Sequence, residues 1–185
     1  MSHRAMIAGV LALLLSSLTL PAENLQEYYS IADALKEPDQ VRVLNLNYQR
    51  LQSLPPEIGQ LTNLEILHLK GNRLKTLPPE FGKLKSLSLL VLDNNELESL
   101  PEEIGQCGEL RQLYLEGNKL KTLPAGIAKA TNLQAIYLGR NQLADLPAQM
   151  GALTKLELLK VTGAAFDFKQ QARLVRLLPN CTIIF

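Results

Sequence analysis

Residues 64–86 read LEILHLKGNRLKTLPPEFGKLKS, and the spacing of their leucines decides the fold. The opening leucine returns at Leu87, Leu110, Leu133 and Leu156, each 23 residues after the last. Within each unit the same offsets recur, at Leu67, Leu90, Leu113 and Ile136 and again at Leu69, Leu92, Leu115 and Leu138. An asparagine follows in phase at Asn72, Asn95, Asn118 and Asn141, and a Leu-Pro pair follows that, ending at Pro78, Pro101, Pro124 and Pro147. A period of this length, with so many positions in phase, is the signature of a stacked repeat architecture.

Each conserved offset has a physical reading. Leu67-His68-Leu69 alternates, as a strand does that buries one face and exposes the other. One unit cannot bury its leucines alone, whereas stacked units form a continuous core. The asparagine amide both donates and accepts, so Asn72, Asn95, Asn118 and Asn141 are expected to form a structural ladder that satisfies turn backbone. The Leu-Pro pair starts the return over the other side, because proline lacks a ladder donor and fixes its own φ. The fold class is therefore α/β: a solenoid curved into a right-handed arc, with a parallel sheet on its concave side.

Working outward, residues 41–163 hold five full repeats and a degenerate sixth, after which Ala164 stands at the asparagine offset. The first repeat carries Gln49 there, where the ladder begins. Residues 23–40 read as a helical N-terminal cap, with Ser30 and Asp33 forming a capping box. Tyr28, Ile31, Ala32 and Leu35 are expected on its buried face. Residues 164–185 read as a helix-plus-strand C-terminal cap. Asp167 and Gln170 open its helix, Phe168, Ala172, Val175 and Leu178 form the expected apolar face, and Pro179 ends it. Residues 1–22 combine a basic start at Arg4, an apolar run over 5–20 and a small Ala22, the pattern of a signal peptide. That run is short for a membrane span, which takes about 20 apolar residues.

Three stretches carry a resemblance to a known family: ADALKEPDQVRVLNLNYQRLQSLP from Ala32, the recurring LP-x-x-I-G-x-L, and the closing RLLPNCTIIF from Arg176. Together with the L-x-x-L-x-L-x-x-N-x-L repeat, they resemble the exported bacterial leucine-rich repeat proteins of the 23-residue type, close to the leptospiral group. The resemblance implies a secreted, periplasmic or cell-surface protein that binds other proteins, often host molecules. A self-associating envelope component and an intracellular scaffold are the alternative readings. The partner's identity does not follow from the motif.

Composition narrows the function classes. Lys+Arg 19 against Asp+Glu 18 gives a formal charge of +1, which offers no electrostatic grip on nucleic acid or anionic lipid. With His3 in the leader, His68 is the one remaining histidine, so neither a two-histidine metal site nor a catalytic relay is expected. Cys107 stands at the offset of Leu61, Leu84 and Leu153 and is expected to be buried, and Cys181 belongs to the end cap. No enzyme activity, cofactor, metal or small-molecule substrate is expected, and the chain is expected to be a monomer touching the membrane only through its leader.

The outward strand positions remain as the candidate protein-binding face. Ile66, Leu89, Val91, Tyr114 and Tyr137 form an apolar band, flanked by His68 and Lys70, by Asp93 and Glu116, and by Arg140. Tyrosine anchors with a charged rim suit a protein interface. The first prediction concerns processing. Intact-mass measurement of protein recovered from its native source should find a soluble chain beginning near Glu23. Full-length chain in the membrane fraction would mean instead that 5–20 is an anchor.

Overall fold

The computed structural model describes residues 26–185, so the leader and the first residues of the N-terminal cap lie outside the described residues. The strands are β1 (Glu27–Tyr28), β2 (Val43–Asn45), β3 (Ile66–His68), β4 (Leu89–Val91), β5 (Gln112–Tyr114), β6 (Ala135–Tyr137), β7 (Leu158–Lys160) and β8 (Thr182–Ile184). They form one 8-stranded parallel sheet in sequence order. The register repeats without slippage: Leu44, Leu67, Leu90, Leu113, Ile136 and Leu159 face each other in turn. All six are fully buried. A single-residue slip would turn this row outward, so the leucine pattern itself holds the register.

The return side is built from 3-10 turns rather than α-helices: Pro56–Gln60, Pro79–Lys83, Glu102–Gln106, Ala125–Lys129 and Ala148–Ala152. Each begins beside the proline of a Leu-Pro pair, held extended with φ between −65 and −71. Each buries one large side chain, Ile58, Phe81, Ile104, Ile127 or Met150, against the leucines. The turns stack tightly enough to exclude side chains: a Cβ on Gly105 would stand 1.8 Å from the carbonyl oxygen of Gly126.

The asparagines close the turn after each strand. Asn95 Nδ2 donates to the carbonyl oxygens of Leu92 (3.0 Å) in its own repeat and Leu69 (2.9 Å) in the repeat before. Its Oδ1 accepts the backbone N–H of Leu74 at 3.1 Å. Asn118 repeats this with Leu115, Leu92 and Leu97, and Asn141 with Leu138, Leu115 and Leu120. Asn72 makes the same bonds with Leu69, Leu46 and Leu51, and its Oδ1 also accepts the backbone N–H of Gln49. Gln49 turns away and donates through Nε2 to the carbonyl oxygen of Tyr29, tying the cap to the first repeat.

Both caps differ in detail from the sequence expectation. At the N-terminal end the helix α1 covers only Ile31–Ala34, and Ser30 Oγ accepts from Asp33 N at 3.4 Å. Tyr28 lies on β1 rather than on that helix, and Ala34 is buried where Ala32 was expected. A paired strand gives the sheet edge its hydrogen-bond partners, which a helix alone does not supply. At the other end α2 (Phe168–Leu177) carries the full capping box, with Asp167 and Gln170 exchanging bonds of 2.7 and 2.8 Å. Its buried face, however, is Leu174, continued by Leu178. Phe168 is 86% and Val175 54% exposed. The helix is rotated by its polar ties: Arg173 pairs with Asp145 and donates to the carbonyl oxygen of Leu146 at 2.7 Å, and Gln170 Nε2 donates to that of Ala144 at 2.7 Å.

Asn95→Ala should lower stability by about 3 kcal/mol, since it strands several buried backbone groups costing about 1–3 kcal/mol each. Gln149→Ala, exposed on the return side, should cost under about 0.5 kcal/mol. Denaturant midpoints at equal slopes make the comparison. Equal midpoints would show that the asparagine is dispensable.

Candidate functional site

Register aligns the outward side chains in rows across the strands. One row runs Val43, Ile66, Leu89, Gln112, Ala135, Leu158 and Thr182, and its neighbour Asn45, His68, Val91, Tyr114, Tyr137, Lys160 and Ile184. Because parallel strands stand about 4.8 Å apart, two tyrosines in register on adjacent strands can lie face to face. Tyr114 and Tyr137 do so, with ring centroids 4.4 Å apart and planes within 6°. Tyr114 Oη donates to Gln112 Oε1 at 3.0 Å, which fixes the ring over the sheet.

Ile66, Leu89 and Val91 are half-buried on the N-terminal side of this stack. On its C-terminal side the apolar floor continues through Ala135 and Leu158, both buried, with Tyr137 and Ile184 packed against them. The sequence reading stopped the face at the fifth repeat and so missed Leu158, Lys160 and Ile184. The signal was present, because Leu156, Leu159 and Val161 keep the inward offsets and leave Leu158 and Lys160 outward.

Charges line the ends of the strands beyond the tyrosines. Glu116 is the hub: Lys160 Nζ lies 2.8 Å from its carboxylate and Arg140 4.0 Å. Asp93 Oδ1 accepts the backbone N–H of Glu116 at 2.9 Å, so one of its oxygens serves the scaffold. Burial pushes the Asp93 carboxyl above the usual range against that hydrogen bond, and the Glu116 charge adds to the rise. Burial also pushes the phenols of Tyr114 and Tyr137 up, keeping both neutral as donors. At the N-terminal end burial holds His68 below the usual imidazole range, opposed by Glu27. Glu27 itself is held low by hydrogen bonds from Tyr29 and then Asn45. Lys70 makes no ion pair among the described residues. Thus Asp93, Tyr114, Glu116, Tyr137 and Arg140 come together on adjacent repeats, while Ile66, His68 and Lys70 lie toward the other end of the face.

Comparison with known proteins bears on this arrangement. A family model described as leucine rich repeat matches residues 39–97 and again 62–120. An LRR protein from Leptospira interrogans is similar at 27% identity and a TM-score of 0.48, over 86% of this chain and 58% of that one. The LRR ectodomain of the plant membrane receptor kinase GASSHO1/SCHENGEN3 from Arabidopsis thaliana, in complex with Casparian strip integrity factor 2, is 26% identical. It superposes with a TM-score of 0.68 over 87% of this chain and 20% of that one. This chain thus spans less than two thirds of the length of either. No curated protein matches the sequence.

Neither cysteine is set up as a nucleophile. Cys107 is buried at the leucine offset, its thiol donating to the carbonyl oxygen of Phe81 at 3.4 Å, and burial pushes it up to about 11. Burial pushes Cys181 up to about 12. Both are free thiols, and among the described residues no group of three or more His, Cys, Asp or Glu is placed to hold a metal. At pH 8 a thiol with pKa near 11 is thiolate in roughly one molecule in a thousand. The folded protein should therefore resist iodoacetamide at that pH and take two labels once unfolded. Rapid labelling of the native chain, read by mass spectrometry, would contradict this.

Proposed function

We propose that this leucine-rich repeat protein is an exported, non-catalytic module that captures a protein partner, a host protein included, on the concave face of its sheet. The observation that carries the reading is the Tyr114–Tyr137 stack, half-buried on a rigid parallel sheet and continuous with apolar neighbours on both sides. The inward leucines need no partner across this face, so the fold does not require tyrosines there. Large, preorganised aromatic side chains beside a charged rim are the usual anchors of protein interfaces. The plant ectodomain in complex with its factor supports a protein ligand for this fold. The leader over residues 1–22 supports export.

In this reading Tyr114 and Tyr137 supply the apolar centre, with Ile66, Leu89 and Val91 extending it. Asp93, Glu116, Lys70 and Arg140 set the charge pattern at the rim, and His68 lies at its N-terminal end. Rim charges act mainly on association rate and on salt dependence.

Tyr114→Ala with Tyr137→Ala tests the proposal. The stack contributes about 0.5–1.5 kcal/mol beyond its area, so the double variant should melt somewhat below wild type and remain folded. Capture of the partner retained by wild type should weaken at least about thirtyfold, the equivalent of 2 kcal/mol at a hot spot. A folded double variant that holds the partner as tightly as wild type would place the site elsewhere.

A further inference from the structure

One backbone position recurs in the left-handed region after strands β2 to β7, and among the described residues Arg50 (φ 60) is the one positive-φ residue outside it. Tyr48, Gly71, Asn94, Gly117, Arg140 and Gly163 stand 23 residues apart, and all six have positive φ, between 55 and 85. The turn demands the left-handed conformation, which glycine adopts freely and L side chains rarely do. Glycine fills alternate members of the column. Tyrosine and arginine at the others are locally unfavourable choices, and strained positions that persist in a fold are a recurrent mark of function.

The alternation has a steric basis. A Cβ on Gly71 would stand 2.4 Å from Cδ1 of Tyr48, and one on Gly117 2.5 Å from Oδ1 of Asn94. Side chains at these two pairs of consecutive members would collide, whereas a Cβ on Gly163 would meet only Arg140 N, at 4.0 Å, so there the left-handed backbone alone favours glycine. What the column displays is loosely held. The Tyr48 hydroxyl and the Asn94 amide have no hydrogen-bond partner among the described residues. Arg140 pairs with Glu116 at 4.0 Å, and that carboxylate has the nearer Lys160 at 2.8 Å. Tyr48 is 67% exposed and the Arg140 side chain 71%. The backbone N–H of each bonds to the next repeat, at Lys70, Glu116 and Thr162, so all three are rigidly placed. They border the concave face one residue beyond Asn47, Asp93 and Gly139.

We propose that Tyr48, Asn94 and Arg140 select the partner by gripping an extended segment that crosses the strands, with an apolar residue on Tyr48 and an acidic residue on Arg140. This rests on the concave-face reading above and deepens it. Charge complementarity sets the acidic end, since the Arg140 side chain is 71% exposed and the carboxylate of Glu116, 4.0 Å away, is held more closely by Lys160. Geometry sets the spacing. Four strand spacings separate Tyr48 from Arg140, about 19 Å, which an extended chain covers in about six residues. Asn94, midway, offers a donor and an acceptor to the segment's backbone.

The probe is a random dodecapeptide library displayed on phage and panned on the purified protein. Enriched peptides are expected to carry an aromatic or aliphatic residue and an Asp or Glu five to seven positions apart, in either order. A fluorescent enriched peptide should bind at least tenfold more weakly to Tyr48→Gly and to Arg140→Gly. Both variants should melt at or near the wild-type temperature, because glycine relieves the left-handed backbone. Enrichment of nothing, or of peptides without that spacing, overturns the proposal, as does equal binding by the glycine variants. A fall of more than about 5 °C in both melts would assign the side chains to the fold instead. Peptides that lose binding to the Tyr114→Ala, Tyr137→Ala variant but keep it for the glycine variants would leave the concave face standing and remove this row.

Discussion

The structure depends on satisfying buried backbone groups where each strand turns away from the sheet. There the chain must leave the ladder, and its carbonyl and N–H groups lie against leucines rather than water. The asparagine amide spans the gap, donating to the carbonyls of Leu92 and Leu69 from Asn95 and accepting from Leu74. Because each amide bridges two repeats, turn closure and repeat stacking are one interaction. A net hydrogen bond is worth about 1 kcal/mol, yet an unmade buried one costs about 1–3. The ladder therefore acts less by adding attraction than by removing a penalty that the leucine core cannot tolerate.

That division of labour frees the concave face. Inward rows carry the packing, asparagines carry the turns, and prolines with 3-10 turns close the return. The outward residues are left with few structural duties, and the exceptions are informative. Asp93 spends one oxygen on the N–H of Glu116, while Gln112 anchors the Tyr114 hydroxyl. The stack of Tyr114 on Tyr137 is a consequence of register, since adjacent parallel strands hold equivalent side chains at nearly the stacking distance.

The repeats were legible because period and burial coincide along the inward row from Leu44 to Leu159. The caps were less so, for physical reasons. β1 is only Glu27–Tyr28, too short to show alternation. The helix α2 has two apolar stripes, the expected one through Phe168, Ala172 and Val175 and one through Leu174 and Leu177, and both lead to Leu178, which is buried as expected. Periodicity cannot choose between them. Hydrogen bonds from Gln170 to Ala144 and from Arg173 to Leu146 hold the second against the repeats. At the candidate site the tyrosines and the charges were readable as outward residues. Their grouping around Glu116 was not, because it includes Lys160 from a repeat whose asparagine is lost. The left-handed column was hidden because Tyr48 and Arg140 are residue types that propensity does not place there.

Native-state hydrogen exchange at the amides of Leu74, Leu97 and Leu120 tests the central claim most directly, since each donates only to an asparagine side chain of the following repeat. Exchange solely through global unfolding, at the free energy found for the inward strand amides, is the predicted result. Exchange at rates near those of unprotected amides, with the strands still protected, would contradict a scaffold built on the asparagine ladder.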